Sequence, residues 1–538
     1  MSKTQAAFTA ILCVLLTAAI PAAAQHEHAA GKPEELGKVD FQTSCEPAVQ
    51  PQFNSAVAML HSFWYRKAAA AFAAVAETDP FCGMASWGVA MTHYHALWEI
   101  PTPSDLKLGW AAVQTAKTAG AKTQRERDYI GAMEIFYKDS DKVDHHTRAL
   151  AYEKAMEQLR AQYPQDLEAS IFYALAVRAN ATAGDKTYAN QRKASTILEP
   201  IFAQHPEHPG LAHYIIHSDD YPPLAALGLD AARRYAKIAP DSPHALHMPS
   251  HIFTRLGLWQ ESIDSNLASK AAAQKSGDAG DELHARDYLV YAYLQRGQDS
   301  EARSAFQSLP KLQPGDAAYF AGLFSMATMP ARFAVERHRW ADAATLTLPP
   351  NTFPGGRYAA AESNNVYARA LGSARTGDVK GAQTALQQLS ALRDTLTREQ
   401  DKYWPEQVGI QADVVTAWIA LAEGKNDDAR RQMQAAADHE DATDKHAVTP
   451  GTIAPARELL GEMLLELKQA VPALEAFEST LRAAPDRLNS LAGAARAAEL
   501  AGNREKAKTY YARVVANCQT ADDDRAEVRD AKLFLARK

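Results

Sequence analysis

Five of the eighteen histidines fall between His213 and His251. They lie in two segments, Ala212-His213-Tyr214-Ile215-Ile216-His217-Ser218-Asp219-Asp220 and Pro243-His244-Ala245-Leu246-His247-Met248-Pro249-Ser250-His251. His213 and His217 stand four apart, as do His247 and His251, so each pair shares one helix face, one turn apart. His244 precedes His247 by three and joins the same face. His213 to His247 and His217 to His251 are both separations of 34 residues. His284 follows His247 by 37 residues, and Asp287 lies three beyond it. A first-row transition metal is bound by three or four imidazole or carboxylate ligands that meet at one point. Two facing i,i+4 pairs supply that set, so His213, His217, His247 and His251, with His244 and His284 within reach, are expected to hold zinc, copper or iron. Asp219, Asp220 and Asp287 are the candidates to ligate, to orient an imidazole or to act as a base. Tyr214 stands where a zinc-protease motif has its glutamate, so that mechanism does not transfer. The competing reading is a polar seam of mutually hydrogen-bonded histidines. Pro249, inside a helix, frees a carbonyl and kinks the chain, aiming His251 differently from His247.

Other residues invite weaker readings. In the stretch from Trp87 to Glu99, His93 and His95 are two apart and do not share a face, so at most one points inward. His95 follows His61 by 34 residues. Asn364, Asn365, Tyr367 and Arg369, and separately Arg178 and Asn180, suit a helix face that clamps a peptide backbone or carboxylate. A solvated polar face is the plainer alternative. Phe63-Trp64-Tyr65 reads as core packing. Glycine-rich phosphate loop, nucleophile elbow and Cys-x-x-Cys are all missing from the sequence.

The elements that must position these residues are short helices. Alanine-rich stretches with apolar residues at i, i+3, i+4 and i+7 fill the chain, broken every dozen or so residues by Pro, Gly or Asp. Leu460, Gly461, Leu464, Ala473, Phe477, Leu481 and Pro485 fall at the small, large and proline positions of a 34-residue helical hairpin. The frame recurs at Ala68, Phe72 and Pro80, and at Ala194, Leu198 and Pro206. Gly297/Ala302, Gly377/Ala382, Gly424/Ala429 and Gly502/Ala507 mark helix-turn-helix junctions. The expected fold is all-α, a superhelical solenoid of about a dozen helix pairs with first helices lining the concave face. A Pro/Gly-rich loop at 346–358 is expected to divide an N-terminal array at 49–345, holding the histidines, from a C-terminal array at 359–538.

These repeats resemble the tetratricopeptide superfamily along nearly the whole chain after its first segment. Leu60-His61-Ser62-Phe63-Trp64-Tyr65 with Asp79-Pro80-Phe81-Cys82, then His213 to Asp220, then Pro243 to Gly257, are together similar to a group of exported bacterial tetratricopeptide proteins. That resemblance implies the solenoid and bacterial export, and carries no activity.

Export is also what the N-terminus suggests. Lys3, the uncharged run Ala6 to Ile20 and Ala22-Ala23-Ala24 read as a cleaved signal peptide over 1–24. Leu12 before Cys13 argues against lipid attachment. A cleaved chain starts Gln25-His26-Glu27-His28, two histidines beside a free amine that suit copper or nickel, within a tail at 25–48 expected to be poorly ordered. The compartment is then periplasmic or extracellular. It permits a disulfide, and Cys45 and Cys82, which flank the first helical pair, are the expected partners. The net charge is −7 with interspersed signs and no basic block, which excludes nucleic acid and anionic membrane as natural partners. Two functions remain open. One is a metal site in the groove, with a small-molecule substrate if it is an enzyme. The other is a scaffold that binds a peptide or protein on the concave face.

Overall fold

Alanine and leucine set three to four residues apart give each segment one apolar stripe, and a stripe must be buried against a neighbour. The computed structural model describes residues 34–97, 100–182, 184–310, 320–348, 358–399, 401–523 and 525–537. Among them the stripes pair as antiparallel helices in chain order. Gln50–His61 packs on Tyr65–Thr78, Leu167–Ala179 on Ala189–Gln204, Pro209–Asp219 on Leu229–Ile238, and Ala456–Glu466 on Ala470–Ala483. Twelve such pairs precede a last helix, Ala526–Ala536. No strand occurs among the described residues. The fold is an all-α solenoid of tetratricopeptide-type helical hairpins.

The small and large positions fit together as the repeat frame requires. A Cβ on Gly88 would lie 2.4 Å from the Phe72 ring, and one on Gly493 would lie 2.4 Å from Phe477. The glycine therefore admits the phenylalanine between successive helices. Gly297, Gly377, Gly424 and Gly502 all turn with φ between +71° and +83°, where a side chain would be strained. Asp166, Ser242, Asp278 and Asp378 cap the helices that follow them.

Two expectations change. Residues 35–48 of the supposed loose tail are packed, because Leu36 and Phe41 supply apolar anchors that are buried in the core. The Lys38 N–H also donates to the Glu207 carbonyl at 2.9 Å. Second, the cores do not divide at 346–358. Phe324 and Val335, before that segment, share one apolar core with Tyr358 and Tyr367 after it. Of the expected loop, 349–357 lie outside the described residues, as do the signal segment and the Gln25–His28 metal motif.

Cys45 and Cys82 form a disulfide with Cα atoms 4.8 Å apart, tying the chain before the first helix to the start of the Gly83–Thr92 helix. No helix among the described residues is long and apolar enough to cross a membrane.

Candidate metal centre

Three consecutive first helices carry the histidines. Pro209–Asp219 presents His213 and His217. The next first helix breaks at Met248, ahead of Pro249, into Pro243–His247 and Pro249–Leu256, so His251 leaves the line of His244 and His247. Ala279–Gln295 presents His284. All six imidazoles are buried.

They do not meet at one point. They form two groups, His213/His217/His244 and His247/His251/His284, and within each the potential ligand nitrogens lie within 4.8 Å of one another. Each group is an i,i+4 pair plus one histidine from the following first helix. The expected four-imidazole set is thus replaced by two sets of three, because neighbouring helices meet with an offset that brings His244, rather than His247, against His213. Ring centroids across the groups, 6.2 Å for His217–His251 and 6.1 Å for His244–His247, are as close as the wider spacings within them, 6.4 Å for His217–His244.

The hydrogen bonds fix the protons. The Asn266 amide donates to the Ser262 carbonyl at 2.7 Å, so its oxygen faces His247 and accepts from Nδ1–H at 2.7 Å. His251 Nδ1–H donates to the Asp220 carboxylate at 2.8 Å, and His213 Nδ1–H donates to the His61 carbonyl at 2.6 Å. Each neutral ring then carries its lone pair on Nε2, that of His251 lying 3.2 Å from the Tyr288 hydroxyl. His247 Nε2 and His251 Nε2 nevertheless face each other at 3.0 Å. Two lone pairs at that distance repel unless a cation lies between them. His213 Nε2 faces His244 Nε2 at 3.2 Å. Two nitrogens bound at about 2.0–2.1 Å on one tetrahedral ion stand roughly 3.3 Å apart.

A proton is poorly placed to be that cation. Burial pulls His213 down to about 3 and carries His217, His244, His247 and His284 well below the usual histidine range. Burial also lowers His251, against the opposing pull of Asp220. The fixed charges facing the group are mostly positive. Lys445 Nζ sits 2.5 Å from Asp220, Arg255 3.6 Å from it, and Arg178 donates to the His217 carbonyl at 2.9 Å. Burial would raise Asp220, but Lys445, His251 and Arg255 outweigh it and hold the carboxyl well below its ordinary value.

Of the three aspartates proposed as bases, only Asp220 reaches the histidines, and it orients His251. Asp219 turns to the other side of its helix, where Ser195 donates to it at 2.9 Å and burial raises its carboxyl to about 7. Asp287 pairs with Arg332 at 3.5 Å. His93 bonds Asp105 at 3.2 Å and His95 packs on Tyr65, so neither joins the groups. Trp98 and Glu99 lie outside the described residues. Arg178 and Asn180 bond backbone and neighbouring helices, and Asn364 bonds Gln411, all within the framework.

Other contributors are silent in the sequence. Phe63, in the turn of the first hairpin at φ +52°, lays its ring 4.4 Å from His213 and 5.6 Å from His217. Behind it, the Glu168 carboxylate accepts from His61 at 2.8 Å and from His208 at 2.9 Å, and Tyr214 donates to His61 Nδ1 at 2.9 Å. His61, Glu168 and His208 form a buried group with metal-like spacing. Their facing donors and acceptors already satisfy one another, so the group braces His61, whose carbonyl orients His213. From the C-terminal repeats, the irregular chain between the Asn426–Ala442 and Ala456–Glu466 helices lies over the histidines. Tyr288 donates to the Val448 carbonyl at 3.3 Å, and Arg255 donates to the Pro450 carbonyl. Ala447 and Val448 close a void of about 10 Å³ lined also by His217, His244, Met248, His251 and His284. That is room for roughly one water-sized occupant. The 34-residue spacing finds the helix pairs, but a contact across two hundred residues of superhelix leaves no local pattern.

No family model matches the chain, and no curated protein matches it. Among solved structures, human IFIT1 bound to PPP-AAAA is similar at 12% identity and TM-score 0.38, over 82% of this chain and 91% of that one. The Cut9–Hcn1 hetero-tetramer of the APC/C is similar at 11% identity and TM-score 0.32, over 90% and 83%. Naa15/Naa10 bound to HypK-THB is similar at 12% identity and TM-score 0.24, over 90% and 71%. The class of fold rests on the helix pairing described above, and these distant likenesses carry no functional argument.

Proposed function

We propose that this is an exported repeat protein that holds transition metal through six buried histidines. The observation that carries the reading is the 3.0 Å contact of His247 Nε2 with His251 Nε2, both rings having committed their other nitrogen as donor. Metal-bound histidines commonly donate their remote N–H to a carboxylate or carbonyl in this way. Asp220, Asn266 and the His61 carbonyl are then the groups that orient the ligands. Export is supported by the signal-like residues 1–24 and by the Cys45–Cys82 disulfide, which an oxidising compartment favours. Zinc, copper and iron all suit imidazole.

Elemental analysis of untagged protein recovered from its native compartment, beside a His213→Ala/His247→Ala variant, tests the reading. Stoichiometric metal in the parent, lost in the variant with helical circular dichroism retained, supports it. No metal in either sinks it and leaves a structural polar seam.

The solenoid also suits a protein-binding scaffold. An open cleft of about 340 Å³, whose walls include Arg178, Tyr221, Tyr403 and Lys445, supports that second reading. Under that reading a chelated, metal-free protein binds its peptide partner as well as the untreated one does.

A further inference from the structure

The two imidazole groups share one enclosed space. The void of about 10 Å³ is lined by His217 and His244 from one group and by His251 and His284 from the other. The two ring pairs that bridge the groups, at 6.2 and 6.1 Å, are as close as the widest pairs within them. Two ions held by these triads therefore sit on either side of one water-sized space.

The surroundings also select the ion. Both triads are made of neutral imidazoles with no carboxylate ligand. Lys445, Arg178 and Arg255 face them, against the single carboxylate of Asp220. Burying two divalent ions here adds four positive charges against one carboxylate, Asp220, that already faces Lys445 and Arg255, and uncompensated buried charge is costly. A monovalent ion halves the added charge and lowers that cost by more than half. Met248, fully buried, is among the residues that line the same void, and soft thioether sulfur favours copper(I).

We infer that His213/His217/His244 and His247/His251/His284 hold a pair of copper ions, and that the void between them is a binding site for one small ligand, of one or two heavy atoms, shared by both. This rests on the metal reading above and goes beyond it in number, element and shared ligand. Val448 and Ala447 cover the void, so the ligand is limited in size.

The test loads metal-free protein anaerobically with copper(I) and adds carbon monoxide, a two-atom ligand of copper(I), as the probe. Bound copper is counted by elemental analysis and bound carbon monoxide by its infrared stretch. The inference expects two coppers and one carbon monoxide per chain, because one ligand is shared. A His247→Ala/His251→Ala variant is expected to hold one copper, so that its ratio of carbon monoxide to copper doubles. Two coppers that bind two carbon monoxide molecules, or none, overturn the shared site. One copper in the parent overturns the pair while leaving the metal reading standing. No copper overturns the inference, and the elemental analysis of native protein then decides the metal reading by itself.

Discussion

At His247 and His251 the positions of two protons decide the chemistry. Asn266 and Asp220 take the Nδ1 hydrogens, which leaves two lone pairs in contact. Asp220→Asn is expected to weaken metal binding about 10- to 100-fold with helicity unchanged, as losses of orienting partners commonly do. Competition against a calibrated chelator measures it. Asp219, one residue away, is expected to behave oppositely. Its carboxyl is raised to about 7, so the folded state binds the proton more tightly than the unfolded chain and loses that advantage as pH rises through 7. At pH 8 an uncompensated buried charge remains, and Asp219→Asn should stabilise the protein by about 1–3 kcal/mol in urea melts. The metal-free histidines set a further pH dependence. Their folded values lie below 6.5, so below that pH the unfolded chain takes up protons that the folded one refuses. Stability then falls with pH by up to about 1.4 kcal/mol per unit for each histidine. Urea melts of metal-free protein at pH 7.5, 6.0 and 5.0 should decline steeply, and a flat series contradicts the buried, neutral assignment. Two superposed periods made His213, His217, His247 and His251 visible in the sequence, His244 joined them on one helix face, and His284 lay near the next repeat, 37 residues past His247. It could not separate Asp219 from Asp220, because which side of a helix end an adjacent residue faces depends on how the last turn closes.

The helices explain why six ligands form two groups. An i,i+4 pair is a local fact and was legible as one. The third member of each group comes from the next first helix, and its identity depends on the crossing offset between repeats. Pro249 was readable as a kink, and the break at Met248 is that kink. Close packing between helices sets the remaining tolerances. A Cβ on Gly210 would lie 2.5 Å from His61 Nδ1, so Gly210→Ala must push that ring off Tyr214 and Glu168. The expected cost is about 1–3 kcal/mol of stability, together with weaker metal binding through the shifted His61 carbonyl. Thermal melts with and without metal separate the two effects. Loss of metal affinity without loss of stability would show that the His61 brace is not under packing strain.

Across the whole molecule, the C-terminal repeats return to the N-terminal ones and complete the centre. Buried Arg487 ties Glu336 at 2.8 Å and Glu458 at 2.6 Å, and the Trp259 N–H reaches the Asp486 carbonyl at 3.0 Å. Lys445 and Val448 arrive at the histidines by this return. Lys445→Ala should therefore speed metal loss to a chelator several-fold while the far-ultraviolet spectrum stays unchanged. An unaltered rate would mean that the covering chain does not gate the site. The solenoid could be read from repeat spacing because each hairpin contacts its neighbours. Its closure onto itself could not, since it depends on small rotations summed over many repeats. The central claim is that metal binds within the two histidine groups, and the most direct measurement is anomalous scattering from a crystal of metal-loaded protein. The account predicts anomalous peaks inside the His213/His217/His244 and His247/His251/His284 groups, about 2 Å from imidazole nitrogens. Anomalous density only at the surface, with His247 and His251 still in direct contact, would contradict it.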